Sequence, residues 1–185
     1  MIKIIALSGS LRKKSFNTGL LKAAESLASD KVELTVATLH GVPLYDGDLE
    51  ERDGIPTSVN KLREQIADAH GLLISTPEYN NAVPGVLKNG IDWLSRRPDE
   101  KPHVFMNLPV AVIGASPGGF GTTLAQTAML PILRTLTTQT WFGGRLMVSK
   151  AGSLFNDEGE LTDDTMRSRL ADFVENFAKF AAERS

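Results

Sequence analysis

The sequence predicts an α/β fold in which a five-stranded parallel sheet is covered by helices on both faces. Short apolar runs alternate along the chain with segments whose apolar residues recur at helical spacing. Runs that are apolar at almost every position are typical of strands buried on both faces, as in parallel sheets. The chain has 185 residues and shows no repeat, linker or low-complexity stretch. We therefore predict a single domain over residues 1–185.

The first third of the chain predicts two strands around one helix. Ile2 to Leu7 form an apolar run broken only by Lys3, as expected for a buried strand. Apolar residues recur at helical spacing from Asn17 onward. Val32 to Leu39 alternates apolar and polar residues at first, which favours a strand near an edge. Residues 40–55, which include Pro43, Gly47 and Gly54, are predicted to be irregular.

The middle of the chain predicts a helix, a strand and a further helix. The first helix carries its apolar residues between Val59 and Ala69, with Pro56 near its start. Gly71 to Thr76 is predicted as a buried strand. After a loop, a helix is predicted from about Pro84 to Ser95.

The last part of the chain predicts two more strands and two helices. Val110 to Ala115 is the fourth strand, and a fifth is expected within Thr140 to Val148. Between them, Thr122 to about Leu136 is predicted to be helical, although Pro131 should start, break or kink part of it. A final helix is predicted from the apolar face formed by Met166, Leu170, Phe173, Phe177 and Phe180.

Composition narrows the classes of function. A net charge of −2 argues against nucleic-acid and anionic-membrane partners. No apolar run approaches the roughly 18 residues needed to span a bilayer, and the N-terminal run is too short for a signal-peptide core, so a cytoplasmic protein is expected. The absence of cysteine excludes disulfides and thiol nucleophiles. Since His40, His70 and His103 lie far apart without metal-ligand spacing, no metal site is predicted.

The stretch GSLRKKSFN, residues 9–17, is rich in hydrogen-bond donors and follows the first predicted strand. A turn that opens a helix offers free backbone N–H groups and the positive end of the helix dipole. Ser10, Ser15 and Asn17 can add side-chain donors, and Arg12 a charge-assisted bond to a phosphate. An equally weighted alternative is that the loop only caps the helix and is otherwise solvated. Neither a P-loop nor a G-x-G-x-x-G pattern is present.

Two further loops follow predicted strands at the same edge of the sheet. In TPEYNNAVPG, residues 76–85, two prolines frame Glu78, Tyr79 and Asn80, whose backbone could face a flat heterocycle. In ASPGGFGTT, residues 115–123, glycines would let the backbone approach a planar ligand. Taken singly, an ordinary polar turn and a glycine-rich turn remain open alternatives. Together the three loops favour a phosphorylated flat aromatic cofactor, with flavin mononucleotide, FMN, as the natural candidate.

These motifs resemble those of the NADPH-dependent FMN reductases, and most of all those of the bacterial chromate and quinone reductases. The resemblance rests on GSLRKKSFN, TPEYN, PGVLKNGIDWLSR, SPGGFG and VPLYDGDL, and covers nearly the whole chain. Only the stretch Asp99 to Pro109 departs from the pattern. The family implies a flavodoxin-like three-layer sandwich with sheet order 2-1-3-4-5. By the same resemblance, the FMN-binding residues would be Ser10, Arg12, Ser15, Phe16, Asn17, Pro77, Glu78, Tyr79, Asn80, Ser116, Gly118 and Gly119.

The resemblance also implies an activity. Enzymes of this family transfer a hydride from NADPH to FMN and then pass electrons to a small-molecule acceptor by a ping-pong mechanism. The candidate acceptors are quinones, free flavin, azo compounds and chromate. No residue is assigned as catalytic, because the cofactor carries the chemistry. A flavodoxin-type electron carrier is the alternative, and an enzyme that uses the first loop for another phosphate ester is less favoured.

Assembly is likewise inferred from the resemblance. The family is usually homodimeric or homotetrameric, and Leu87, Ile91 and Trp93 could serve an interface, with core packing as the alternative for Trp93. Asp92 and Arg96 are expected to form an ordinary i,i+4 surface pair.

Overall fold

A computed structural model of the chain describes residues 1–96 and 103–183. Its centre is a parallel sheet in the order β2-β1-β3-β4-β5, with β6 pairing the other end of β4. The strands are β1 (Ile2–Ser8), β2 (Val32–Thr38), β3 (Gly71–Ser75), β4 (Pro109–Ala115), β5 (Gln139–Thr140) and β6 (Met147–Val148). The predicted fold class and strand order 2-1-3-4-5 are confirmed.

Helices cover both faces of the sheet and divide the core into two clusters. They are α1 (Phe16–Leu27), α2 (Gly47–Asp53), α3 (Thr57–Ala67), α4 (Gly85–Leu94), α5 (Thr123–Thr135) and α6 (Asp164–Ala182). On one face, α1 and α6 pack around Leu20, Leu21 and Phe177. On the other, α3, α4 and α5 pack around Ile66, Leu87 and Met129. None of the helices in the described ranges is both long and apolar enough to cross a bilayer.

Three details differ from the sequence prediction. The segment predicted as irregular contains α2, which begins where the side chain of Asp46 accepts a hydrogen bond from Asp48 N–H and ends at Gly54. The fifth strand is interrupted, because β5 and β6 pair with opposite ends of β4; after β5, the Trp141 ring packs edge-on against Phe173 of α6, with ring centroids 4.9 Å apart. Pro131 lies inside α5 without ending it, since the helix continues to Thr135.

The segment that contains α2 is fastened to α4 through Pro43. The Pro43 carbonyl accepts hydrogen bonds from Trp93 Nε1 at 2.9 Å and from Asn89 Nδ2 at 2.8 Å. Asn89 Oδ1 in turn accepts the backbone N–H of Tyr45 at 2.8 Å. The Trp93 side chain is fully buried, as are Leu87 and Ile91. Packing within the chain therefore accounts for these three residues, which the sequence had offered as candidates for a subunit interface.

The predicted pair of Asp92 with Arg96 is wrong. Asp92 pairs with Lys88 at 2.8 Å, whereas the Arg96 guanidinium reaches Glu50 of α2 at 2.8 Å. This hydrogen bond raises the pKa of Arg96. The Tyr45 hydroxyl donates to the same carboxylate, which raises the pKa of Tyr45. Arg96 thus pairs with the α2 segment rather than along its own helix.

Of the stretch Asp99 to Pro109, which departs from the family pattern, residues 99–102 lie outside the described ranges.

Gly114 allows β3 and the start of α5 to approach β4 closely. A Cβ atom at this position would clash with the Thr76 carbonyl oxygen and the Thr122 side chain. We expect Gly114→Ala to lower the free energy of unfolding of the cofactor-free protein by about 1–3 kcal/mol in urea denaturation, because backbone must shift to admit the methyl group. Gly85→Ala, where the added carbon meets open space at the start of α4, is the matched control and should cause no loss. Equal destabilisation by both variants would contradict this account.

Candidate active site

The three predicted loops meet at the carboxyl edge of the sheet and enclose a cleft of about 170 Å³. Parallel α/β sheets bind ligands at this edge, where the strand order reverses. Here the reversal lies between β1 and β3. The cleft is lined by Ser10, Arg12, Ser15, Phe16, Asn17, Pro77, Glu78, Tyr79, Ala115, Ser116 and Pro117. Of the predicted site residues, Asn80, Gly118 and Gly119 are not part of this lining.

The first loop combines a helix cap with unused donors. Ser15 caps α1, because its Oγ accepts the backbone N–H groups of Asn17 at 3.2 Å and Thr18 at 3.4 Å. Buried Ser10 accepts the N–H of Arg12 at 3.3 Å and so shapes the turn. Within the described ranges, the backbone N–H groups of Lys13 and Lys14 and the N–H that opens α1 have no acceptor. The loop therefore both caps the helix and keeps donors available for an anion.

Arg12 adds a positive charge to this loop. Its side chain is exposed, lines the cleft and forms no ion pair within residues 1–96 and 103–183. A guanidinium beside free N–H groups at a helix N-terminus is suited to a phosphate monoester.

The carboxamide of Asn17 connects all three loops. Its Nδ2 donates to the Ala115 carbonyl and its Oδ1 accepts the Ala115 N–H, both at 2.9 Å. The same Oδ1 accepts the hydroxyl of Ser75 at 2.9 Å. Asn17 is 3% exposed and Ser75 and Ala115 are equally buried, so solvent does not compete for these bonds.

The pairing with Ala115 takes the place of a strand neighbour. Beside Ala115 the neighbouring chain has left the sheet, because β3 ends at Ser75 and Pro77 follows one residue after the last bond to β4, from Thr76 N–H to the Ile113 carbonyl. Without Asn17 the buried N–H and carbonyl groups of Ala115 would both lack this partner. The predicted FMN contact of Asn17 stays a prediction, but the structure shows that most of its hydrogen-bonding capacity is used within the protein.

The second loop contains a rigid hairpin turn. The backbones of Tyr79 and Ala82 exchange two hydrogen bonds of 3.0 Å. Between them Asn80 and Asn81 both have positive φ, 51° and 62°, as a type I′ turn requires and as asparagine tolerates. The turn places the half-exposed Tyr79 ring at the rim of the cleft and directs Asn80 to solvent.

The carboxylate of Glu78 caps α5. Its Oε2 accepts the backbone N–H groups of Leu124 at 2.8 Å and Ala125 at 3.0 Å. A carboxylate there also meets the positive end of the helix dipole. Because the side chain is committed to α5, Glu78 can act on a cleft ligand mainly through its backbone. This role could not be predicted from the sequence, since 46 residues separate Glu78 from Leu124.

The third loop is anchored to the segment after β6. Ser116 N–H donates to the carbonyl of Val148 at 2.9 Å, and Lys150 N–H to that of Gly118 at 3.0 Å. Gly118 also donates to Ser116 Oγ at 3.2 Å. Ser116 and Pro117 therefore form one wall of the cleft, while Gly118 and Gly119 lie beyond it.

Comparison with known proteins decides the family. The family model described as NADPH-dependent FMN reductase matches residues 2–153. The chain belongs to this family. Its members are flavoprotein oxidoreductases, so the expectations of an enzyme, of FMN as cofactor and of NADPH as electron donor are confirmed.

Individual relatives of this FMN reductase agree over nearly the full length. The NAD(P)H-dependent FMN reductase of Pseudomonas aeruginosa is 42% identical over 91% of this chain and 89% of its own. The 2-hydroxy-1,4-benzoquinone reductase of Burkholderia sp is 34% identical over 99% of this chain and 98% of its own. Among solved structures, the flavoenzyme NAD(P)H:(acceptor) oxidoreductase FerB of Paracoccus denitrificans superposes with a TM-score of 0.86 at 30% identity, covering 100% and 99% of the two chains.

The polar groups of the cleft in this FMN reductase match the chemistry of a phosphate. The free N–H groups and Arg12 offer a phosphate site at one end of the cleft. Residues of the other two loops, Pro77 to Tyr79 and Ala115 to Pro117, line the remainder.

We expect the Asn17→Ala variant of the reductase to lose about 2–4 kcal/mol of unfolding free energy without FMN, because buried partners at Ser75 and Ala115 become unsatisfied. Chemical denaturation of the cofactor-free protein measures this. The control is Asn60→Ala, which removes an exposed side chain whose Nδ2 donates a hydrogen bond to the Ile55 carbonyl. It should change the free energy of unfolding by no more than about 0.5 kcal/mol. If Asn17→Ala were as stable as this control, the connecting role would be wrong.

Proposed function

We propose that this enzyme reduces quinones with electrons from NADPH through bound FMN, in two half-reactions that use the same cleft. The observation that carries the proposal is that free N–H groups, Arg12 and residues of three loops meet in one cleft at the sheet edge. Two relatives support the acceptor, since the Burkholderia sp protein is named a 2-hydroxy-1,4-benzoquinone reductase and an Arabidopsis thaliana protein, 35% identical over 92% of this chain, is named NADPH:quinone oxidoreductase.

The first loop binds the phosphate end of the cofactor. Arg12 donates charge-assisted hydrogen bonds, while Ser10, Ser15, the N–H groups of Lys13 and Lys14 and the N–H that opens α1 donate neutral ones. Phe16 lines the same end, and Asn17 holds the loop against β3 and β4. A fixed set of donors binds the phosphate without the reorganisation that water would require.

The second and third loops orient the ring. Pro77, Glu78 and Tyr79 present backbone on one side, with Asn80 at the outer end of the turn. Ser116 lies on the other side, with Gly118 and Gly119 at its margin. When bound, FMN supplies the redox chemistry, taking a hydride from NADPH and passing electrons to the acceptor. Backbone donors beside the ring stabilise the negative charge that reduction places there.

Quinones are the acceptor that the relatives favour; free flavin, azo compounds and chromate remain further proposals. A flavodoxin-type carrier is the second candidate function, and membership of a reductase family argues against it. A homodimeric or homotetrameric assembly and a cytoplasmic location also remain predictions.

The first test is the visible spectrum of the protein reconstituted with FMN, recorded without oxygen. We expect flavin bands that co-elute with the protein, bleach on addition of NADPH and return when 2-hydroxy-1,4-benzoquinone is added. Bound flavin that NADPH does not bleach would identify a carrier. Bleaching followed by return with chromate or an azo dye but not with the quinone would overturn the proposed acceptor alone.

The phosphate site is tested by comparing FMN with riboflavin, which lacks the phosphate. Arg12→Ala should weaken FMN binding roughly 10- to 100-fold, the effect of losing hydrogen bonds to a charged group, and leave riboflavin binding nearly unchanged. Quenching of flavin fluorescence reports both affinities. Arg52→Ala, which removes an exposed arginine of α2 that pairs with Asp53, serves as control and should affect neither. Parallel loss of both flavins would mean that Arg12 acts on the fold instead.

A further inference from the structure

A second and larger cavity, of about 330 Å³, lies between α1 and the turn formed by residues 156–160. It meets the FMN cleft at Ser15, which lines both. Lys13, the neighbour of Arg12, lies at the same junction. The cavity therefore adjoins the first loop at Ser15, and the proposed function assigns it no role.

The wall of this cavity is a fixed turn held by Asn156. Its Oδ1 accepts the N–H groups of Glu158 at 3.0 Å and Glu160 at 2.9 Å, and its Nδ2 donates to the Glu160 carboxylate at 2.8 Å. The turn packs directly on α1 at Gly19, where a Cβ atom would clash with the Gly159 carbonyl. This close contact fixes the position of the turn relative to α1 beside the cavity.

The acidic side chains of the cavity have partners within the protein, whereas three of its cationic side chains form no ion pair within the described ranges. Glu158 is paired with Lys14 at 2.9 Å and Glu160 is bonded to Asn156, so both carboxylates have partners. Three cationic side chains also line the cavity: Lys13, Lys22 and Arg167. Within residues 1–96 and 103–183 none of the three forms an ion pair, and Arg167 makes one long hydrogen bond of 3.4 Å to the Leu161 carbonyl. The cavity thus combines unpaired positive charge with carboxylates that are already engaged.

We infer that this cavity binds the 2′-phosphorylated adenosine half of NADPH and that Lys13, Lys22 and Arg167 select NADPH over NADH. The inference rests on the proposed function. NADPH differs from NADH by one phosphate, which needs cations that the FMN phosphate does not occupy. Arg12 belongs to the FMN cleft and Lys14 is neutralised by Glu158, so the three unpaired cations are those available. A volume of about 330 Å³ lies at the lower end of the range for small-molecule sites.

The double variant Lys22→Gln/Arg167→Gln tests the selection and spares Lys13, which adjoins the cofactor loop. With quinone as acceptor, we expect KM for NADPH to rise roughly 5- to 30-fold, from the loss of hydrogen bonds to a charged group, with kcat unchanged. KM for NADH should stay constant. The matched control is Lys61→Gln/Lys179→Gln, which removes two exposed charges outside this cavity and should leave both constants unchanged.

Calorimetry on the cofactor-free protein gives a readout that does not depend on activity. Adenosine 2′,5′-bisphosphate should bind the wild type more tightly than adenosine 5′-monophosphate, and the double variant should lose this difference. Binding of inorganic phosphate with the same affinity as the bisphosphate would show a general anion site and overturn the adenosine assignment. If the variant changes neither nucleotide's KM, or both equally, the inference fails while quinone reduction by the wild type still supports the proposed function. If the wild type oxidises neither NADPH nor NADH, the proposed function itself fails.

Discussion

The site depends on one carboxamide. Asn17 pairs with both backbone groups of Ala115 and accepts the hydroxyl of Ser75, so a residue of the first loop fixes the ends of β3 and β4. Because β3 ends before it reaches Ala115, the backbone groups of Ala115 on that side have no strand partner. The carboxamide of Asn17 has the donor and acceptor of a peptide unit and pairs with these groups in place of a strand. Every wall of the cleft is positioned relative to this buried contact.

The loops differ in how they use their polar groups. In the first, capping by Ser15 consumes two N–H groups of α1 and leaves others free for an anion. In the second, the acidic residue of the described cleft lining is Glu78, and its carboxylate accepts hydrogen bonds from the start of α5. It therefore adds little repulsion toward a phosphate or an anionic ring. The Glu78 carboxylate is thus engaged at α5, while Arg12 forms no ion pair within residues 1–96 and 103–183, so the free positive charge of the cleft lies at its phosphate end.

Much of the fold could be predicted because its strands are short apolar runs with clear ends. The three loops at the carboxyl edge follow from that alternation, and the family motifs within them are local in sequence. What could not be predicted are contacts between distant residues. Glu78 with Leu124, Asn17 with Ala115 and Arg96 with Glu50 join segments whose proximity only the folded chain establishes. The helix α2 was missed because a seven-residue helix between glycines carries too few apolar positions to show a period.

The turn at Tyr79–Ala82 has a consequence for the thermodynamics of cofactor capture. Asn80 and Asn81 occupy left-handed conformations, and Glu78 anchors the loop to α5 through contacts within the chain itself. Ordering a flexible loop upon binding would cost about 1–2 kcal/mol of backbone entropy per residue. A loop that its own contacts hold in this shape avoids this entropic cost. Less of the favourable binding energy of the flavin is then offset by ordering of the loop.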